Sequence, residues 1–279
     1  MTSLSQTEAE KVVASVTIPP RPTIVMSLME ERAKAEPDLR KIAKLISTDV
    51  GISAAIIKTI NSPFYGLKNK ITSIEQSVNL LGMNNVAALV TSLALRNSTK
   101  AAGLERFWDE AARTALVAAY LAQQLGSISK EDAHLYGLFR DCGIPILMQR
   151  FPDYKDTLKL ANAAGDRAFT EAEDERHGTN HAVVGGLLAN NWQLPAHIRD
   201  AIRMHHDLSV FDSGLSNEVL NLIAIAHMAE HIESGTSRIS SDAEWGKLGA
   251  ASLTHLMLGQ DELAEFTRDA QEMLREADI

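Results

Sequence analysis

The chain has 279 residues, 45% of them hydrophobic, enough for a packed core in one large helical domain or two ordinary ones. Its net charge is −9, from 27 basic and 36 acidic residues, which disfavours nucleic acid as the main partner. No apolar run approaches the ~18 residues that cross a bilayer, and "MTSLSQTEAEKVV" lacks the apolar stretch of a secretory signal. The single cysteine, Cys142, excludes an internal disulfide; together these features predict a cytoplasmic protein with no membrane partner.

In chain order, nearly every segment reads as helix and none as strand, so the expected fold class is all-α. "DLRKIAKLIST" sets Leu39, Ile42, Leu45 and Ile46 on one face behind a cap at Asp38. "GISAAIIKTINSP" repeats the spacing at Ile52, Ile56 and Ile60 and stops at Pro63. "TSIEQSVNLLG" opens on a capping box, Thr72 with Glu75, and closes on Gly82; Asn85 is then placed to cap "VAALVTSLAL". The polar, small-residue stretch "RNSTKAAGLER" reads as a boundary.

A second helical set follows. "FWDEAARTALVAAYLAQQLG" ends on Gly126, and Ser129 is placed to cap "SKEDAHLYGLFRDCG". "TEAEDERHG" carries a second capping box, Thr170 with Glu173, and Asn180 is placed to cap "NHAVVGGLLANNW". The glycines of "GGLL" suit close helix packing, and Pro195 suits the first turn of "LPAHIRDAIRMHH". "NEVLNLIAIAHMAEHI" is too apolar to stand outside the core, and the tail from about Ser241 reads as two or three amphipathic helices. His134 and His177 fall in charged contexts that predict surface positions, and Cys142 reads as an inert packed thiol.

Several motifs in order carry a resemblance. They are "IPPRP", "LISTDVGISAAIIKTINSPFYG", "ITSIEQSVNLLG", the pair Phe107 and Trp108, "LFRDCG", "HGTNHAVVGGLL", "WQLP" and "AIRMHH". Over about residues 18 to 210 the chain resembles the HDOD proteins, bacterial signalling proteins related to the HD and HD-GYP metal-dependent phosphohydrolases. The resemblance implies an N-terminal helical bundle, residues 1 to 100, packed on a degenerate HD-like helical domain, residues 101 to 279, that includes the C-terminal helices. It also implies a regulator with signalling-protein partners and a link to cyclic-dinucleotide pathways.

HD hydrolases hold a divalent metal with His and carboxylate side chains, and the resemblance allows the positions to be compared one by one. The first His falls near Glu110, the His of the doublet is Arg140, and the Asp of the doublet remains as Asp141. Accessory His positions remain as His181 and as His205 or His206, while the late Asp falls near His227. A guanidinium has no lone pair to give a metal and would set a fixed charge beside it. The expected function is therefore a non-catalytic signal-transduction protein, acting through protein or nucleotide-signal binding, with no cofactor and no catalytic residue. The alternative is a phosphohydrolase with an altered ligand set, in which Glu110, Asp141, His181, His205, His206 and His227 bind Mn, Fe or Zn.

Whether Arg140 points into the cleft or to solvent stays open, because neighbouring helical residues diverge by ~100°. The remaining candidate is "NSPFYG". Asn61, Pro63, Phe64, Tyr65 and Gly66 form either a well-specified turn or a partner-binding corner rimmed by Lys68 and Lys70.

Overall fold

The computed structural model describes residues 12–61, 67, 69–99, 103–237 and 243–276. Fourteen α-helices and one 3-10 turn, with no strand, make up the regular structure among the described residues after a first helical turn at 12–15. They divide into two compact units.

The smaller unit takes the described residues of 21–98, with 272–276. It contains α1 (Thr23–Arg32), α2 (Leu39–Ser47), α3 (Val50–Ile60) and α4 (Ile74–Ser98). Asp38 caps α2 as its position predicts, accepting from the N–H groups of Arg40 and Lys41, and Asp49 caps α3 through Ile52 N–H. The predicted stripe closes into one core: Ile42, Ile46, Ile52, Ile56 and Ile60 are all buried, with Val78, Leu81, Val86 and Val90 of α4 against them. The capping box predicted at Thr72 is not the cap that forms; Ser73 Oγ accepts the Gln76 N–H instead.

Gly82 breaks α4 with φ 74°, where only glycine sits without strain, and the helix resumes at once rather than after a new cap. Asn85 donates back to the Leu81 carbonyl. Because of that continuation, α4 becomes long and apolar enough to cross a membrane, which the sequence did not suggest; 61% of its apolar window is instead buried in the protein.

Of "NSPFYG", Asn61 alone is described. Its amide donates to the Ile57 and Ile71 carbonyls at 2.8 and 2.7 Å and accepts the Ile71 N–H, so it closes α3 and ties down the chain ten residues on. Ser62, Pro63, Phe64, Tyr65, Gly66 and Lys68 lie outside the described residues.

Glu31 is buried under Lys34 and Lys41, at 2.7 and 2.8 Å, and accepts the Asp38 N–H. The hydrogen bonds from Lys34, Lys41 and the Asp38 backbone lower its pKa from 4.5 to about 2. Its contribution to stability is therefore complete above the unfolded value and is lost as pH falls through the folded one. Acid unfolding followed by circular dichroism should show a smaller loss between those two values in Glu31→Gln than in the parent; identical acid limbs would refute the assignment.

The larger unit takes, of the described residues, 12–20 together with those of 99–271. The expected first domain thus loses its N-terminal segment. Trp192 Nε1 donates to the Pro19 carbonyl at 3.0 Å, and Arg150 Nε reaches Ser15 Oγ, so this segment belongs with the larger core. The unit contains α5 (Glu105–Leu125), α6 (Lys130–Phe139), α7 (Gly143–Arg150), α8 (Tyr154–Ala163), α9 (Phe169–His177), α10 (His181–Asn191), α11 (Ala196–Met204), α12 (Asn217–Ser237) and α13 (Ala243–Leu256). The last helix is α14 (Gln260–Glu276). Ser129, Asn180 and Gly126 cap as predicted. Pro195 stands one residue before α11, at the cap position.

The α9 cap differs from the one predicted. Ala168 is the cap residue, and Glu171 rather than Glu173 reaches back to accept its N–H. That shift turns Glu173 inward, where it is fully buried. As its composition requires, the apolar residues of α12 from Val219 to Ile232 are buried, packed between α5 and α13.

Candidate metal centre

Arg140 and Asp141 stand at the joint between α6 and α7. Arg140 extends the α6 backbone, giving its N–H to the Tyr136 carbonyl at 2.8 Å, and Cys142 N–H turns back to the Phe139 carbonyl. The α7 start then meets the α10 start backbone to backbone. A Cβ on Gly143 would lie 2.1 Å from the His181 carbonyl oxygen and 2.9 Å from Gly185 N, so only glycine allows the approach that sets Asp141 against His181. His205 and His206 follow directly on α11.

Arg140 points inward, 5% exposed. Its Nη2 and Nε donate to Asp141 Oδ2 at 2.7 and 3.1 Å, and its Nη1 donates to Glu230 Oε2 at 2.9 Å. The other Asp141 oxygen, Oδ1, faces a different group: it lies 3.4 Å from His181 Nε2 and 3.3 Å from His205 Nε2, which are themselves 3.3 Å apart. A ligand atom of His206 joins them, all four within 4.8 Å of one another.

The outer ring nitrogens decide what this cluster can hold. His181 Nδ1 faces Glu173 Oε2 at 2.7 Å, His205 Nδ1 faces the Ile202 carbonyl at 2.8 Å, and His206 Nδ1 faces Glu244 Oε1 at 2.8 Å. Each partner is an acceptor, so each Nδ1 carries the proton and donates it. The neutral form of every ring then has its lone pair on Nε2, and for His181 and His205 that lone pair points at Asp141 Oδ1. Ligand atoms ~2.05 Å from a four-coordinate ion stand about 3.3 Å apart, which is the spacing of the three closest atoms here. Outer carboxylate or carbonyl partners on imidazole ligands are what fix their tautomer in metal sites. The residues present fit a divalent transition metal.

Electrostatics separates the three rings. Burial disfavours charge on His205 and His206, holding His205 at about 3 and His206 well below the usual value. Burial also opposes charge on His181, but Glu173 and Asp141 outweigh it and raise its pKa to about 10. Burial would raise the Asp141 carboxyl, yet the Arg140 guanidinium and the His181 and His205 rings hold it well below the carboxylate range. A proton on His181 Nε2 would lie between Asp141 Oδ1 and His205 Nε2. Tyr154 donates to Glu173 from beyond, closing a buried chain from Tyr154 to Asp141.

The structure thus brings together four of the six candidate ligands. Glu110 is not among them; it pairs with Arg106 at 2.8 Å along α5, although it lines the same cleft. His227 is not either. Its Nε2 donates to the His205 carbonyl at 2.9 Å and its Nδ1 faces Ser252 Oγ, so it supports the His205 backbone. An acid one turn on, Glu230, takes Arg140. His177, expected at the surface, is buried against Thr157 Oγ1 at 2.8 Å and stacked on Phe151; His134 is also partly covered, its pKa lowered to about 4 by burial. Glu173, Glu230, Glu244 and Tyr154 escaped sequence reasoning. The one available signal was Glu173, an acid in a helix before a capped His. The cleft has a volume of about 990 Å³, and Arg140, Asp141, His181, His206, Glu230 and Glu244 form part of its lining.

An all-helical unit of this connectivity, with a doublet at a helix joint facing His side chains from two later helices, is an HD-like fold. Residues 18–208 match the HDOD domain model, and the chain belongs to the HDOD family. It is 28% identical over 213 residues to an uncharacterized protein of Treponema pallidum (strain Nichols), covering 73% of this chain and 41% of that protein. The chain therefore spans about two-fifths of that relative's length. Among solved structures it resembles a Shewanella amazonensis SB2B protein that carries a provisional phosphohydrolase name, with TM-score 0.72 and 21% identity over 95% of this chain and 93% of that one. It also resembles an HDOD domain protein of Geobacter sulfurreducens, of unknown function, with TM-score 0.68 and 21% identity over 96% and 97% of the two chains. A Marinobacter aquaeolei VT8 protein provisionally named for signal transduction shares the fold at TM-score 0.70 and 18% identity, over 98% of this chain and 65% of that one.

Proposed function

We propose that the chain is a signal-transduction module that works by binding rather than by turnover. The observation that carries this is Arg140. A hydrolase of the related kind needs a metal ligand at that position, and here a buried guanidinium lies on Asp141 and Glu230. It is always charged and cannot ligate. The cleft beside it is of ligand size and carries both signs, with Arg106 and Lys155 on one part and Glu230 and Glu244 on another. A nucleotide signal or a partner's side chains would find complementary groups there. The experiment is an assay of the purified chain against p-nitrophenyl phosphate and bis-p-nitrophenyl phosphate with Mn2+, Fe2+ or Zn2+. Turnover should match the protein-free rate with each metal. Turnover that disappears in Asp141→Asn would overturn the reading.

A second reading, a metal-dependent phosphohydrolase with an altered ligand set, is favoured by the convergence of Asp141, His181, His205 and His206. A metal held there would supply a Lewis acid and an acidified water. The same assay separates the two.

A further inference from the structure

We propose that Asp141 bridges two cations of different kinds, one divalent transition-metal ion at Oδ1 and the Arg140 guanidinium at Oδ2, so that the centre takes one ion and not two. The two carboxylate oxygens are already divided. Oδ2 receives two N–H donors from Arg140, and Oδ1 faces His181 Nε2 and His205 Nε2 at 3.4 and 3.3 Å. His206 completes a set of three imidazoles and one carboxylate, suited to Zn2+, Fe2+ or Mn2+.

Arg140 fixes the number, because a second ion would stand beside a guanidinium that cannot give up its proton. Glu230 and Asp141 Oδ2, which together would offer a second ion its oxygens, are the two groups Arg140 holds. Arg140 is thus a positioning residue: it orients Asp141 toward the imidazoles and excludes a second ion.

The proposal is independent of turnover, so its test uses no substrate. The full chain is stripped with chelator and titrated with Zn2+ and with Co2+, reading bound metal by elemental analysis and the Co2+ visible spectrum. The parent should bind one equivalent, with an intense spectrum of imidazole-bound Co2+. Glu173→Gln should weaken binding ~10–100-fold by releasing the His181 ring, and His205→Ala should weaken it further. Arg140→Lys, which keeps the charge, should stay at one equivalent. Arg140→His, which removes it and adds a lone pair, should take two. No binding or two ions in the parent, or undiminished binding by His205→Ala, would overturn the proposal. So would a folded Arg140→His that still takes one ion; if that variant does not fold by circular dichroism, the parent stoichiometry and His205→Ala decide.

Discussion

Arg140→Ala should cost the protein about 3 kcal/mol in urea unfolding monitored by circular dichroism. Breaking a buried ion pair from one side costs ~3–5 kcal/mol because the partner charge is left without compensation. Here one substitution removes the guanidinium from two carboxylates, Asp141 and Glu230. Both keep 23% of their side-chain surface, so water recovers part of the loss and the low end of the range applies. Arg140→Lys should fall between the two proteins, since an ammonium supplies the charge but cannot bond both acids through a planar fork. An Arg140→Ala protein within about 1 kcal/mol of the parent would mean that the guanidinium does not hold these acids.

Gly143→Ala should be at least as damaging, about 3 kcal/mol or more. Overpacking costs ~1–3 kcal/mol where side chains can move aside, and more where they cannot. The atoms that a Cβ at 143 would meet are backbone: the His181 carbonyl at 2.1 Å and Gly185 N at 2.9 Å. Relief requires the α7 and α10 starts to separate, which carries Asp141 away from His181. Gly186→Ala is the control. Its Cβ would meet Arg203 Cγ at 2.5 Å, so a side chain rather than two backbones must shift. That variant should lose less than Gly143→Ala, about 1–3 kcal/mol, with some of it regained from the better helix propensity of alanine. Equal losses in the two variants would show that the seam between α7 and α10 yields more easily than its geometry implies.

Local chemistry was legible in the sequence, and long-range pairing was not. Asp38, Ser129 and Asn180 cap where they stand because a cap needs only its own carboxylate, hydroxyl or carboxamide and an N–H two or three residues on. The same logic misassigned Glu173. Its spacing from Thr170 fits a capping box, but Tyr154 and His181, 19 and 8 residues away, take it into the core. The candidate ligands were readable as residue types. Which of their atoms were free was not, since that depends on the Ile202 carbonyl, Glu244 and Glu173 occupying the outer nitrogens. Arg140 was undecided for a related reason. Helical spacing turns neighbours ~100° apart, yet this doublet lies where the helix ends and the chain bends into α7. The joint directs Arg140 and Asp141 to the same cleft. His227 was the residue the sequence put forward on this helix, and nothing in it showed that the His205 carbonyl takes His227 while Glu230 takes Arg140.

The close approach at Gly143 also gives the protein a clock. Cys142, the one thiol in the chain, sits in that seam at 0% exposure, with Sγ 3.8 Å from the Gly185 carbonyl. Burial pushes its pKa up, so it is neither reachable nor ionised while α7 and α10 stay together. An alkylating reagent can react only with molecules in which that seam has opened, and its rate counts those openings one molecule at a time. A ligand that ties Asp141 to His181 from the cleft side closes the same seam, and so would be recorded as a slower rate at a sulfur it never touches.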